Sequence, residues 1–158
     1  MTTKTTILAG VLLAGLAATA AIGDSHVSKA AQAAVKARQS TMQLYAFNVG
    51  QLGAMAKGEV AYDADAASAA AGNLVKLTSM NQMAAWMPGT DNATLGDMTH
   101  ALPAIWESGS EIGAKAGALS EAAVALEAAA GGGLDSLKGA MGAVGKACGG
   151  CHEMYRAK

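Results

Sequence analysis

Hydrophobic and polar positions alternate along this chain with a helical rhythm almost throughout. Between positions 24 and 55, Val27, Ala31, Ala34/Val35, Met42, Tyr45, Val49 and Leu52 recur at roughly the three- and four-residue spacing that lines one helix face, with Asp24 or Ser25 available as N-cap. KGEVAYDAD breaks the rhythm, and Asp63 can cap a second helix that the pattern carries to about Trp86, with Leu74, Leu77 and Met83 inward. MPGTDNATLGDMTHALP is the longest irregular run. Pro88-Gly89 stops one helix there, and Pro103 suits the first turn of the next, where its missing N–H costs nothing. That third helix is predicted to reach about Ala130, ahead of three consecutive glycines that act as a stop. A fourth runs from Leu134 to about Arg156, with Leu137, Met141 and Val144 on its inner face.

Composition strengthens this picture. Alanine, the best helix former, dominates, β-branched runs are absent, and the chain has only 2 prolines. Four helices with mostly short connections predict an all-α, antiparallel four-helix bundle, a single domain over 24–158. One Phe, 2 Trp and 3 Tyr supply little bulky apolar volume, so something besides aromatic side chains is expected to fill the middle. Gly109, Gly113 and Gly117 on the third helix, and Gly139, Gly142 and Gly145 on the fourth, each fall along one face. Two readings stand for these glycines: close helix packing, or room for a planar cofactor.

A net charge of −1 offers no basic surface for nucleic acid and no acidic tail. The first 20 residues combine Lys4, an apolar stretch from Ile7 to Ala18, and small residues at Ala18-Thr19-Ala20. This predicts a secretory signal, cleaved near Ala20 or as late as Gly23, because the apolar stretch is shorter than the ~20 residues a spanning helix needs. The mature protein is then expected in the periplasm, free of the membrane, in an oxidising compartment.

Both cysteines lie in KACGGCHEMYRAK, near the end of the chain. Two thiols at C-x-x-C spacing can add across the two vinyl groups of a haem, and the histidine that follows can turn toward the iron. Two cysteines and three histidines scattered at random produce this arrangement about 2 times in 10,000. A thioredoxin-like dithiol using Cys148 and Cys151 belongs at a strand-to-helix junction, which this pattern lacks. Zinc needs further ligands, and His26 and His100 stand in no ligand motif. A structural disulfide across so short a loop removes little unfolded-state entropy. Covalent haem is therefore the leading expectation, with Cys148 and Cys151 as attachment points and His152 as axial ligand.

At this point a family comes into view. CGGCHEMYR on the last helix of a four-helix bundle resembles the class II c-type cytochromes, the cytochrome c′ family, and VKARQSTM, MAKGEVAYDA, MPGT and LPAIW extend the resemblance over nearly all of the mature chain. The resemblance implies one covalently attached haem c. Its distal position, counted from Arg38-Gln39, falls on Met42. In one branch of the family a methionine there ligates the iron, and many other members leave that position open to gases. Met42 as sixth ligand predicts a one-electron carrier with no substrate turnover, hence not an enzyme. Met42 as a flexible, unligated side chain predicts a module that binds NO or CO.

The resemblance also implies that Arg38 and Gln39 neighbour the haem propionates, that Arg156 lies near the proximal face, and that members pair through their first helices into homodimers. For Arg38 a solvated helix face is the alternative, and for Arg156 a frayed terminal charge. Trp86 and Tyr155 are expected to wall the cofactor, Trp106 to pack, and Met55, Met80, Met83, Met87, Met98 and Met141 to be core or loop residues. His26 and His100 are expected on the surface. Redox partner proteins are implied but not identified.

Overall fold

A computed structural model describes residues 27–158. The secretory signal, the capping roles of Asp24 and Ser25, and the placement of His26 lie outside the described residues. The helix predicted to begin at 24 is α1, Lys29–Lys57, capped by the Ser28 side chain, which accepts from the Ala31 N–H. It ends at Gly58, which takes a left-handed conformation (φ 75°) and returns its N–H to the carbonyls of Ala54 and Met55. Asp63 caps α2, Ala64–Ser79, by accepting from Ala66 N–H at 2.8 Å.

Helix α2 stops seven residues short of the predicted Trp86, for a local reason. The hydroxyls of Thr78 and Ser79 donate back to the carbonyls of Val75 and Lys76, and Gln82 Nε2 donates to Leu77 O at 3.0 Å. These side chains satisfy the terminal carbonyls that a further turn would have used. Met83, expected inward, is 77% exposed as a result. It opens a single 3₁₀ turn, Met83–Ala85, ahead of a one-turn helix α3, Asn92–Leu95, and further 3₁₀ turns at Gly96–Met98 and Pro103–Ile105.

Pro103 therefore starts only a short turn, and the third long helix, α4, spans Ile112–Ala130. Gly109 at φ 88° breaks the chain between them, so it is not on the helix with Gly113 and Gly117. Helix α5 is Leu134–Tyr155. The tight turn before it is closed by Tyr62, whose hydroxyl donates to Ala130 O at 2.8 Å and accepts from Gly133 N–H at 3.0 Å.

The four long helices form a ring: α1 packs on α2, α2 on α4, α4 on α5 and α5 on α1. One end, near the turns 58–63 and 131–133, is a continuous apolar core of Leu52, Met55, Leu74, Leu126, Leu137 and Val144, with alanines from α2 and α4 between them. Met141 packs against it partly buried, and Leu77 is half-buried. Close packing is not the reason for Gly113, Gly117, Gly139, Gly142 or Gly145, since a Cβ added at any of them meets nothing within 4 Å. The near approaches fall instead at Gly72, where a Cβ would stand 2.9 Å from Glu127 Oε1, and at Gly131, 2.6 Å from Ser68 Oγ. No described helix is long and apolar enough to cross a membrane.

Candidate haem site

Residues 80–111 connect α2 to α4 and lie at the other end of the bundle, where α5 carries Cys148, Cys151 and His152 in its last two turns. The two thiols stand three positions apart on a helix of 3.6 residues per turn, which puts them about 60° apart around α5, on neighbouring faces. Each is free and partly buried. Burial pushes both thiols up from their ordinary pKa, and for Cys151 the neighbouring Cys148 adds to that while Lys115 opposes it. Cys148 packs against the core, and Cys151 and His152 open onto a cavity of about 480 Å³. Partial burial, reinforced by the charge of Arg156, lowers the His152 pKa and favours the neutral ring, the form able to ligate a metal.

The cavity lies between α1 and α5 with the long connection as its third wall. Met42, Arg38 and Gln39 reach it from α1, Trp86 from the connection, and Tyr155 and Arg156 from the end of α5. Apart from Cys148, which sits just behind on the core side, every predicted site residue thus comes to one place. Met42 stands on this wall at 38% exposure, outside the apolar core.

Arg38 is not on a solvated face. It is 4% exposed, and its guanidinium is bound by the connection: Nη1 donates to Ala85 O (2.9 Å) and Thr90 Oγ1 (2.7 Å), Nη2 to Thr90 O (2.8 Å) and Thr99 Oγ1 (3.2 Å). Trp86 and Trp106 lie against it at 5.1 and 5.7 Å from their ring centres. Trp106 donates its indole N–H to Trp86 O at 2.9 Å, so it does pack, but around a buried cation. Gln39 Nε2 donates to Met98 O at 2.9 Å while also edging the cavity.

Sequence reasoning missed Gln43, Thr99, Ala101, Ile105 and Ile112 as lining residues; His100 is exposed, as expected, and also edges the cavity. Gln43 was legible in principle, one residue beyond Met42 on the same helix. The others belong to the irregular connection and the first residue of α4, where no helical period runs to mark them. Leu102 N–H donates to Tyr155 O (3.0 Å) and Ala157 N–H to His100 O (2.8 Å), which ties the connection to the end of α5.

Two thiols about one turn apart, an adjacent imidazole and a cavity walled by tryptophan, tyrosine and methionine fit a flat, apolar, iron-bearing ring. The buried Arg38 cation has no carboxylate within ion-pair distance among the described residues, which suits a group bearing acidic edges. Fold and site together define a four-helix c-type haem protein. The family model described as Cytochrome C' matches residues 33–156, and the chain belongs to that family, whose members carry one covalently bound haem c.

Among its relatives is cytochrome c-554 of Cereibacter sphaeroides, 44% identical over 124 residues that make up 78% of this chain and 80% of that protein. A solved cytochrome c' from Rhodobacter spheriodes superposes with a TM-score of 0.78 at 43% identity, covering 81% of this chain and 98% of the other. A ferrous variant of cytochrome c prime from Alcaligenes xylosoxidans with bound NO superposes at 0.70 with 36% identity, covering 81% and 96%.

Proposed function

We propose that this haem protein binds a small diatomic gas, NO or CO, from the α1 side of its cofactor, with Met42 as the side chain that yields to it. When bound, the haem would supply a redox-active iron able to take up a small ligand. In this reading Cys148 and Cys151 hold the ring edge, His152 offers the imidazole nitrogen, Trp86 and Tyr155 wall the ring, and Arg38 and Gln39 face its acidic edge. Met42 carries the reading. It stands on the cavity wall between Gln39 and Gln43 rather than in the core, and three rotatable bonds let an unpinned methionine move aside. That a relative 36% identical to this chain is known with bound NO supports the gas-binding part of the reading.

A second reading rests on one observation: Met42 is the sole thioether among the residues lining the cavity that His152 also lines. As a lasting sixth ligand it favours Fe(II), raises the potential and excludes gases, which makes the protein a one-electron carrier. The spectrum of the reduced protein separates the two. A broad high-spin spectrum that CO shifts supports gas binding. A sharp low-spin α band indifferent to CO supports the carrier, and Met42→Ala should then convert it to the CO-sensitive form. If Met42→Ala leaves such a low-spin band untouched, Met42 is not the ligand.

Export to the periplasm with loss of residues 1–20 accompanies either reading, since haem attachment to bacterial c-type cytochromes takes place outside the cytoplasm. Pairing into a homodimer is also part of the proposal. It is supported by Leu44 and Phe47 on α1, which are 49% and 65% exposed.

A further inference from the structure

Arg38 is the buried basic residue among those described, and it spends four guanidinium N–H groups on the connection between α2 and α4. Its bonds are spread over three places, Ala85, Thr90 and Thr99, so a single planar fork gathers a segment that has no long helix of its own. Two of the acceptors are in turn fixed. The Thr90 hydroxyl donates to Met87 O, and Thr99 Oγ1 also accepts from Ala101 N–H at 3.1 Å.

The residues just past Thr99 reach the opposite helix. Ala101 bridges to Arg156, flanked by the bonds from Ala157 to His100 and from Leu102 to Tyr155. Tyr155 carries the tie onward, its hydroxyl accepting from Glu111 N–H at 2.8 Å at the start of α4. One continuous path therefore runs from Arg38 on α1, through Thr99 to Ala101, to the end of α5. It passes around the cavity that has Met42 on one wall and His152 on another. Met42 lies four residues after Arg38, one helical turn along the same face of α1.

We propose that Arg38 is a positioning residue: by clamping Thr90 and Thr99 it sets the connection against α1 and the end of α5, and so controls how readily a small ligand enters from the Met42 side. A charge facing the propionates acts only as a cation. A clamp needs the fork and its threonine partners. The kinetic part of this proposal rests on the haem reading above; the structural part does not.

Three variants of the holoprotein test it: Arg38→Lys, Arg38→Ala, and Thr90→Val combined with Thr99→Val. Each is compared with the unaltered protein by hydrogen exchange of residues 82–105, by the CO association rate of the ferrous form, and by the reduction potential. If the unaltered protein excludes CO, the comparison moves to a Met42→Ala background, so that failure of the gas-binding reading does not hide the result. Loss of colour in denaturant would mark failure of the haem reading, and the exchange data would still judge the clamp.

The expected result is faster exchange in all three variants, with CO association accelerated roughly fivefold or more. Arg38→Lys should fall on the side of the threonine pair despite its retained charge, and the potential should move little in either. The threonine pair removes no charge and leaves both threonine-site backbones in place, so it remains informative if Arg38→Ala fails to fold. Lysine and the threonine pair behaving like the unaltered protein, while alanine alone shifts the potential, would overturn the proposal in favour of a direct charge effect. Unchanged exchange in Arg38→Ala would overturn it as well.

Discussion

The two ends of this bundle are built by different means. At the end near the turns 58–63 and 131–133, α1, α2, α4 and α5 meet through Leu52, Met55, Leu74, Leu126, Leu137 and Val144, with alanines filling the gaps. At the other end the helices part around the cavity, and polar groups replace the apolar core. Of the buried polar residues Arg38, Asn48, Thr90, Asp91 and Thr99, all but Asn48 belong to this end. Apolar packing is tolerant of detail and needs no partner. A site shaped for a rigid ring has to be held open at defined places, and directional hydrogen bonds from a few residues do that. The difference predicts that disturbing one end leaves the other largely intact.

The largest effect should come from the anchor itself. Replacing Cys148 and Cys151 by serine removes both thiols, and the purified protein is expected to lose its haem completely in denaturant, read as absence of the visible spectrum from the chain. Because α2, α4 and the first half of α5 pack without that site, far-UV circular dichroism should keep most of its helical signal. Hydrogen exchange should quicken chiefly in 80–111 and the last turns of α5. Uniform loss of protection through Leu126 and Leu137 would show that the two ends do not fold independently of one another.

The converse experiment comes next in size. Leu126 and Leu137 are fully buried, and truncating either to alanine should cost about 2–5 kcal/mol of unfolding free energy by denaturant titration. The absorption spectrum of the haem protein should not change, since neither residue touches the cavity. A shifted spectrum in Leu126→Ala would mean that strain crosses from the core to the site.

The same division explains how much was readable beforehand. The four long helices, their order and the caps at Asp63 and the glycine turn follow from local chemistry, and so does the covalent motif. Met42 was singled out by counting along one helix from Arg38-Gln39, and it lines the cavity. What escaped was the connection. A pattern that carried α2 to Trp86 could not register that Thr78, Ser79 and Gln82 turn their side chains back on the helix. Nor could it show that Arg38 binds residues about fifty positions away. Helical periodicity reports which face is apolar. It does not report which carbonyls a distant guanidinium will collect.

The smallest expected effect is a pH dependence confined to the polar end. Asp91 caps α3, with Oδ1 accepting from Thr94 N–H at 2.9 Å and Oδ2 from the Thr94 hydroxyl at 3.1 Å. Burial alone would raise its pKa, but the hydrogen bonds to the carboxylate outweigh that, and the group is held below the ordinary carboxylate value. A folded pKa lower than the unfolded one means that Asp91 contributes its stability above the unfolded value, and that the contribution disappears as pH falls through the folded one. Asparagine caps a helix nearly as well, so Asp91→Asn should leave the neutral-pH melting temperature almost unchanged. Its acid limb, below about pH 4, should be shallower than that of the unaltered protein. Hydrogen exchange at low pH should place the difference in 90–102, beside Thr90, Thr99 and the Arg38 clamp, and not around Leu126. Superimposable acid limbs for the two proteins would show that the Asp91 cap has no part in holding the open end together.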